Sequence, residues 1–426
     1  MEAVSILDMD TEGEGFRLKC DVFEEIFENV QDLPVAIISV AGPFRRGKSF
    51  LLNVLLQYLM ENQVQLLKSQ KWHKNGDKKI PNVFHSRGGS ERNTVGIHIT
   101  NKPFMLETSD KKKVAVFLMD TQGMFDTKTG AKDCSTIFAL STLLSSVQIY
   151  NLTAQIQEND LQQLEVFTSY ARYAAEKKQH ANASSPPFQG LIFLIRNWEM
   201  TDFDNGIKGG KKYLKTVTEV QLEENRMVRQ NLKTSFSQVS CSLMPHPGKT
   251  VALRKAKDDS AIDIDKEFLE TADGLAKQLF KRENVLVKKL NGITITGEGL
   301  IDLAIEYTKI LSSGEMPKVI NLLKIQAENN TRKAATEAGN VYKKHLDSVL
   351  NGKYMEENEL QLKHNKEKET AMQTYRGFKT PPNKEFQEHE KALELEIQQM
   401  FEKAKENNSQ LEVRFSFKPT TLITQM

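Results

Sequence analysis

The chain of 426 residues has little cysteine, no long apolar run and almost no net charge. Cys20, Cys134 and Cys241 are too few and too scattered for a disulfide framework or a paired metal-ligand motif, so a reducing compartment is expected. The longest apolar stretches, Pro34 to Ala41 and Leu191 to Ile195, fall far short of the about 20 residues a helix needs to cross a bilayer. Where a secretory signal would have basic residues and an apolar segment, the N-terminus carries Glu2, Asp8, Asp10 and Glu12, and no such signal is expected. A formal charge of +2 gives no whole-molecule field that would gather nucleic acid or anionic lipid, although Lys111 to Lys113 form a local basic run. No nucleic-acid partner is expected. What is present is the composition of a soluble globular protein, 27% charged and 39% hydrophobic, long enough for two or three units.

Three nearly continuous apolar runs, Val35 to Val40, Val114 to Met119 and Leu191 to Ile195, are bounded by Gly, Asp or Pro and read as buried strands of a parallel sheet. Helical patterns follow them, including Lys48 to Met60 and Ser135 to Tyr150. Together they predict a doubly wound α/β domain over residues 1–311, with its ligand beyond the carboxyl ends of the strands. Residues 312–318 hold Ser312-Ser313-Gly314 and Pro317, a helix stop followed by a helix-discouraging proline, and read as a hinge linker. From 319 to 408 the chain is dense in Glu, Lys, Gln and Ala, and predicts three helices, 319–350, 357–377 and 383–407, separated by Asn351-Gly352 and Thr380-Pro381-Pro382. Phe386, Leu393, Ile397, Met400 and Ala404 share one stripe of the last helix, as a small bundle requires. In the tail, 409–426, the alternation from Leu411 to Phe417 suits either a short edge strand or a segment that packs on something else.

The stretch Gly42-Pro43-Phe44-Arg45-Arg46-Gly47-Lys48-Ser49 matches the phosphate-loop pattern between a predicted strand and a predicted helix. Gly42 and Gly47 let the backbone wrap around phosphate, the helix N-terminus favours the anion, Lys48 adds a point charge and Ser49 can ligate Mg²⁺. Asp120-Thr121-Gln122-Gly123 ends the second predicted strand, where Asp120 can hold Mg²⁺ and the Gly123 N–H can face a γ-phosphate. Thr94, in the polar loop from Arg87 to Ile97, is the candidate third metal ligand.

With these residues in order, and with Ala139 to Thr142, Ser145 to Leu152, Arg196-Asn197-Trp198 and Pro245 to Gly248 after them, the sequence resembles the atlastins over roughly Val35 to Asn408. The atlastins are dynamin-superfamily GTPases of the endoplasmic reticulum. The resemblance implies an α/β, doubly wound P-loop GTPase domain followed by a small three-helix bundle. It also implies GTP as substrate, GDP as product and Mg²⁺ as cofactor. By position, Arg45 matches the catalytic arginine of the phosphate loop. Arg46, Phe50, Gln122, Arg196, Asn197 and Val251 join Gly42, Gly47, Lys48, Ser49 and Gly123 around the nucleotide. Further implications are a homodimer formed through the GTPase domain and helical bundle, and tethering and fusion of endoplasmic reticulum membranes from their cytosolic face. The two membrane segments that atlastins carry after the bundle are not in this chain. His246 is expected to shape its loop, and Cys134, Cys241 and Trp198 to pack.

One departure concerns the base. The family reads guanine with Arg-Asp, and this chain has Arg196-Asn197. Aspartate offers two acceptors to guanine's two donors, whereas asparagine offers one acceptor and one NH₂, a better complement to xanthine. Arg254 is a second departure, where the family tends to place asparagine. Two other readings stand beside the fusion GTPase. One is a nucleotide-gated tether with weak or altered base specificity; the other is a GTPase like the guanylate-binding proteins.

Overall fold

The computed structural model describes residues 1–9, 16–64, 80–85, 94, 96–124, 131–178, 186–219, 223–252, 264–290, 292–312, 319–350, 354–377 and 384–416. The chain divides into two compact units, Met1–Lys318 and Val319–Met426. The first begins with β1 (Ala3–Ser5), β2 (Leu7–Met9), β3 (Phe16–Leu18), α1 (Cys20–Phe27), β4 (Val35–Ala41), α2 (Lys48–Val64), β5 (Ile97–Thr100), β6 (Phe104–Glu107) and β7 (Lys113–Thr121). Next come α3 (Ala131–Leu144), β8 (Val147–Thr153), α4 (Glu158–Lys178), β9 (Phe188–Arg196), α5 (Gly206–Thr218), α6 (Glu223–Ser235) and β10 (Phe236–Met244). It ends with α7 (Lys249–Ala252), α8 (Lys266–Phe280), β11 (Lys289–Leu290), β12 (Ile293–Thr294) and α9 (Gly297–Ser312). The second unit holds α10 (Val319–Leu350), α11 (Glu357–Gly377) and α12 (Lys384–Ser416).

The main sheet runs in the order β1-β5-β7-β4-β8-β9-β10, with β6 paired to β7. Strands β7, β4, β8, β9 and β10 are parallel, while β5 and β6 pair antiparallel with β7 at one side and β1 pairs antiparallel with β5. All seven residues of β4 are buried, because a central parallel strand is covered on both faces. On one face Ile38, Val40, Val116 and Leu118 pack against Leu51 and Leu55 of α2 and Phe268 and Leu275 of α8. On the other, the Phe27 ring of α1 lies 4.6 Å from that of Phe117. Each such side chain, fully buried, contributes about 1.5–3 kcal/mol. From β4 the chain crosses first to β7 and later to β8, on opposite sides. The ends of β4 and β8 therefore flank the crevice where an open α/β sheet binds its ligand.

Two sequence expectations are corrected. The helix expected over Ser135 to Tyr150 stops at Leu144, and Val147–Thr153 is β8, paired with both β4 and β9. Its β-branched and aromatic residues suit a central strand, and a neighbouring helix supplies a hydroxyl to its Gln148. The Ile37 N–H donates to Ser146 Oγ at 3.1 Å, and Ser141 Oγ donates to Gln148 Oε1 at 2.9 Å. The second correction is at the C-terminus, where α12 continues to Ser416 and replaces the edge strand considered from Leu411. Buried Phe401, Ala404 and Asn408 continue the helical spacing, and Asn408 bonds both the N–H and the C=O of Met355. The hinge residues 313–318, both bundle breaks, most of the Arg87 to Ile97 loop and Arg254 lie outside the described residues.

Small residues make the bundle close. Ala334, Ala338, Tyr342 and Leu346 line α10 at four-residue spacing and meet Met372 and Tyr375 of α11 and Leu393 and Ile397 of α12. Among the described residues no helix is long and apolar enough to cross a membrane.

Lys288, between α8 and β11, is buried and donates from Nζ to Ser145 O at 2.8 Å. Burial pushes its pKa down from 10.5 to about 7. The unfolded chain therefore holds more protons than the folded one across that window, so this group makes stability rise with pH between about 7 and 10.5. Lys288→Met is expected to flatten that rise. Urea-unfolding free energies at pH 7.5 and 9.5 check it; a rise as steep in the variant as in the parent would refute the assignment.

Candidate functional site

Strand β4 delivers residues 42–47 to the start of α2, whose first N–H groups have no intrahelical partner. The loop is held chiefly by its carbonyls. Lys48 Nζ donates to Gly42 O and Pro43 O, each at 3.1 Å. Asn151 Nδ2 donates to Arg46 O at 2.9 Å, and an Arg196 guanidinium nitrogen donates to Gly47 O at 3.2 Å. Gly42 has φ +152° and lies against the end of β8, where a Cβ would stand 2.2 Å from Asn151 O. No residue with a side chain fits there.

Arg45 and Arg46 are exposed. Arg45 has φ +61°, a left-handed conformation that costs a non-glycine residue roughly 1–2 kcal/mol. Its guanidinium stands 5.4 Å from the centre of the Phe44 ring. Such strain persists only where the surroundings hold it. Phe44 N donates to Met124 O at 2.9 Å on one side of Arg45, and Asn151 grips Arg46 on the other.

Asp120 brings three elements to one point. Ser49 Oγ donates to Asp120 Oδ2 at 2.6 Å, and Thr94 Oγ1 donates to the same oxygen at 3.1 Å. The other oxygen, Oδ1, is buried with no hydrogen-bond partner among the described residues. Burial raises the Asp120 pKa, opposed by the Lys48 charge and the two hydroxyls. Burial also pushes Lys48 down to about 8, opposed by Asp120. One carboxylate with an open oxygen and two hydroxyls form a hard donor set, the kind that a small divalent cation takes beside phosphate. Those three are the sequence-predicted metal ligands.

The segment after β7 interlocks with the loop. Gln122 pairs with Gly96 twice, its N–H donating to Gly96 O at 2.8 Å and its Oε1 accepting from Gly96 N at 3.0 Å. Gly123 faces Phe44, where a Cβ would lie 2.6 Å from the Phe44 Cα. The Gln122 carboxamide thus binds the strand leading out of the Thr94 loop.

On the side expected to read the base, Arg196 ends β9 and is buried, with its guanidinium 5.3 Å from the Phe268 ring centre. Burial pushes its pKa down to about 10. Asn197 follows at φ +55°, which asparagine adopts more readily than most residues. Val251 lies in α7 and packs on the core cluster. Phe50 turns its ring into that core, 5.9 Å from Phe268. His246 Nδ1 accepts from Gly248 N at 3.0 Å and so shapes its turn, while Trp198 is buried and donates to Phe203 O. Sequence reading gave no role to Asn151, Phe44 or Met124. Recognising Val147 to Tyr150 as a strand would have placed Asn151 at a carboxyl end beside the loop.

Comparison with known proteins follows the same outline. The family model for the guanylate-binding protein N-terminal domain matches residues 13–290, and that for the guanylate-binding protein C-terminal domain matches residues 291–414. The chain is 38% identical over 404 residues to atlastin-1 of Bos taurus, covering 93% of this chain and 70% of that protein. It is 36% identical over 433 residues to atlastin-2 of Homo sapiens (99% and 72%) and 38% identical over 408 residues to atlastin-3 of Homo sapiens (93% and 73%). A phosphate loop and an oxygen cluster in one crevice, together with likeness over nearly the whole chain, make this protein a dynamin-superfamily GTPase that belongs to the atlastin family.

Proposed function

We propose that this GTPase hydrolyses GTP to GDP and phosphate with Arg45 as its catalytic residue, and that paired GTPase domains and helical bundles use the cycle to tether and fuse endoplasmic reticulum membranes. The observation that carries this reading is the convergence of Ser49 and Thr94 on Asp120, beside Lys48 and at the foot of the arginine-bearing loop. Gly42, Arg46, Gly47, Lys48 and Ser49 cradle the phosphates. Ser49, Thr94 and Asp120 would hold Mg²⁺, which supplies charge neutralisation on the β- and γ-phosphates when bound. Exposed Arg45 supplies a guanidinium for the charge that spreads over the transferring phosphoryl oxygens, an effect of about 10³–10⁵ in rate in related reactions.

Gln122 and Gly123 relate the γ-phosphate to the Thr94 loop through the Gly96 pairing. Nucleotide can drive a rearrangement only by binding one arrangement more tightly; moving 1:99 to 99:1 takes about 5.5 kcal/mol. The residues 312–318 are the proposed hinge for the second unit. Arg196, Asn197, Val251 and the Phe50 backbone surround the base.

A second reading concerns specificity and rests on Asn197. Its amide would set an NH₂ group against a guanine donor, costing about 1–3 kcal/mol. In this reading the chain binds xanthine nucleotides at the expense of guanine.

Phosphate release from GTP is expected to fall by about 10³-fold or more in Arg45→Ala with GDP binding retained, and to vanish with binding in Lys48→Ala. Nucleotide binding by the parent chain without turnover would favour the tether instead, and release of guanosine monophosphate would favour chemistry like that of the guanylate-binding proteins. Calorimetry with GDP and xanthosine diphosphate addresses Asn197. Asn197→Asp is expected to raise GDP affinity roughly 5- to 150-fold and lower that for xanthosine diphosphate. Equal GDP affinity in parent and variant rules the specificity reading out.

A further inference from the structure

The side chain of Asn151 is completely buried, yet only half of its amide is satisfied: Nδ2 reaches Arg46 O at 2.9 Å, while Oδ1 has no partner among the described residues. Facing a carbonyl, the amide must present its nitrogen, so the orientation is fixed by the loop. An apolar side chain at this position would remove the unpaired Oδ1, but at the cost of the donor to the Arg46 carbonyl. A buried, half-satisfied polar group is rare in a native core and asks for an explanation beyond packing.

The fold supplies one. Asn151 stands at the carboxyl end of β8, the strand next to β4, and touches the phosphate loop at both ends. Its backbone carbonyl closes against Gly42 and its amide grips the Arg46 carbonyl. Between those points lies Arg45, the non-glycine residue of the loop with a left-handed backbone. The Arg46 carbonyl belongs to the peptide after Arg46, so the amide anchors the chain one residue beyond Arg45; with Phe44 N held by Met124 O before it, Arg45 lies in a short span fixed at both ends, which limits where its side chain leaves the loop.

We propose that Asn151 is a positioning residue for the hydrolysis step, acting through Arg46 O to set the backbone of Arg45. The inference rests on Arg45 being the catalytic residue. It assigns the amide to the catalytic step more than to nucleotide affinity, because the phosphate loop retains Lys48, Ser49 and the start of α2 when the amide is removed.

Asn151→Ala removes the amide, and Asn151→Asp keeps its shape without the donor. Both are expected to lower kcat for GTP at least tenfold while changing KM and GDP affinity less than threefold. In an Arg45→Ala background, adding Asn151→Ala is expected to change kcat less than twofold, because the residue it positions is gone. Parallel loss of affinity and kcat, or effects that multiply in the double variant, would overturn the proposal and leave the role of Arg45 intact. Full turnover in Arg45→Ala alone would overturn the hydrolysis reading and this inference with it. A crystal structure of the parent chain with GDP and aluminium fluoride gives a check that does not depend on variants folding. The Asn151 amide is expected to remain within hydrogen-bond distance of Arg46 O, and a broken contact there refutes the proposal.

Discussion

A carboxylate removed from water must be met by donors or cations, and the burial of Asp120 imposes that demand on the whole crevice. Three pieces of chain answer it: the start of α2 through Ser49 and Lys48, the loop at Thr94, and β7 itself. None of these segments is near another in sequence, so meeting the demand draws the sheet's central strands, its antiparallel edge and its first crossover helix to one place. The parallel sheet makes such a meeting possible, because each strand ends on the same side and hands its last residues to one groove.

Strands β4, β7 and β9 were legible because deeply buried parallel strands are apolar almost throughout. β8 was not. Its Gln148 and Asn151 look like surface residues; Gln148 is met inside the core by a polar seam through Ser39 and Ser141, and Asn151 by the Arg46 carbonyl. That seam is assembled from β4, α3 and β8, and no local window contains it. The C-terminal helix was misjudged for the opposite reason. An alternating pattern from Leu411 resembles a strand, while the deciding contact, Asn408 with Met355, comes from the segment that leads into α11.

At the site, the residues picked by type and spacing, Gly42, Lys48, Ser49 and Asp120, stand together in one crevice. Residues whose contribution is directional were not legible in that way. Phe50 is expected beside a nucleotide from its position in the sequence, yet its ring is taken up by the core beside Phe268. Gln122 is polar and adjacent to the loop, yet its carboxamide is committed to the Gly96 backbone. Arg196 was expected to serve the base, and its guanidinium is also bonded to the phosphate loop. The end of β9 and the phosphate loop are thus mechanically joined by one cation.

The hydroxyl of Ser312, the last residue of α9, holds the Phe16 carbonyl at 2.8 Å, across 296 positions of chain. That helix buries Leu300, Leu303, Tyr307 and Leu311 within the first unit, although the two family models meet at residues 290 and 291. Homology seams and folding seams do not coincide here. Cutting where the family models part would strip the catalytic half of a helix it needs, baring an oily trough along α1 and β3 and inviting aggregation; a dissection that respects the physics has to keep α9 with the amino-terminal piece.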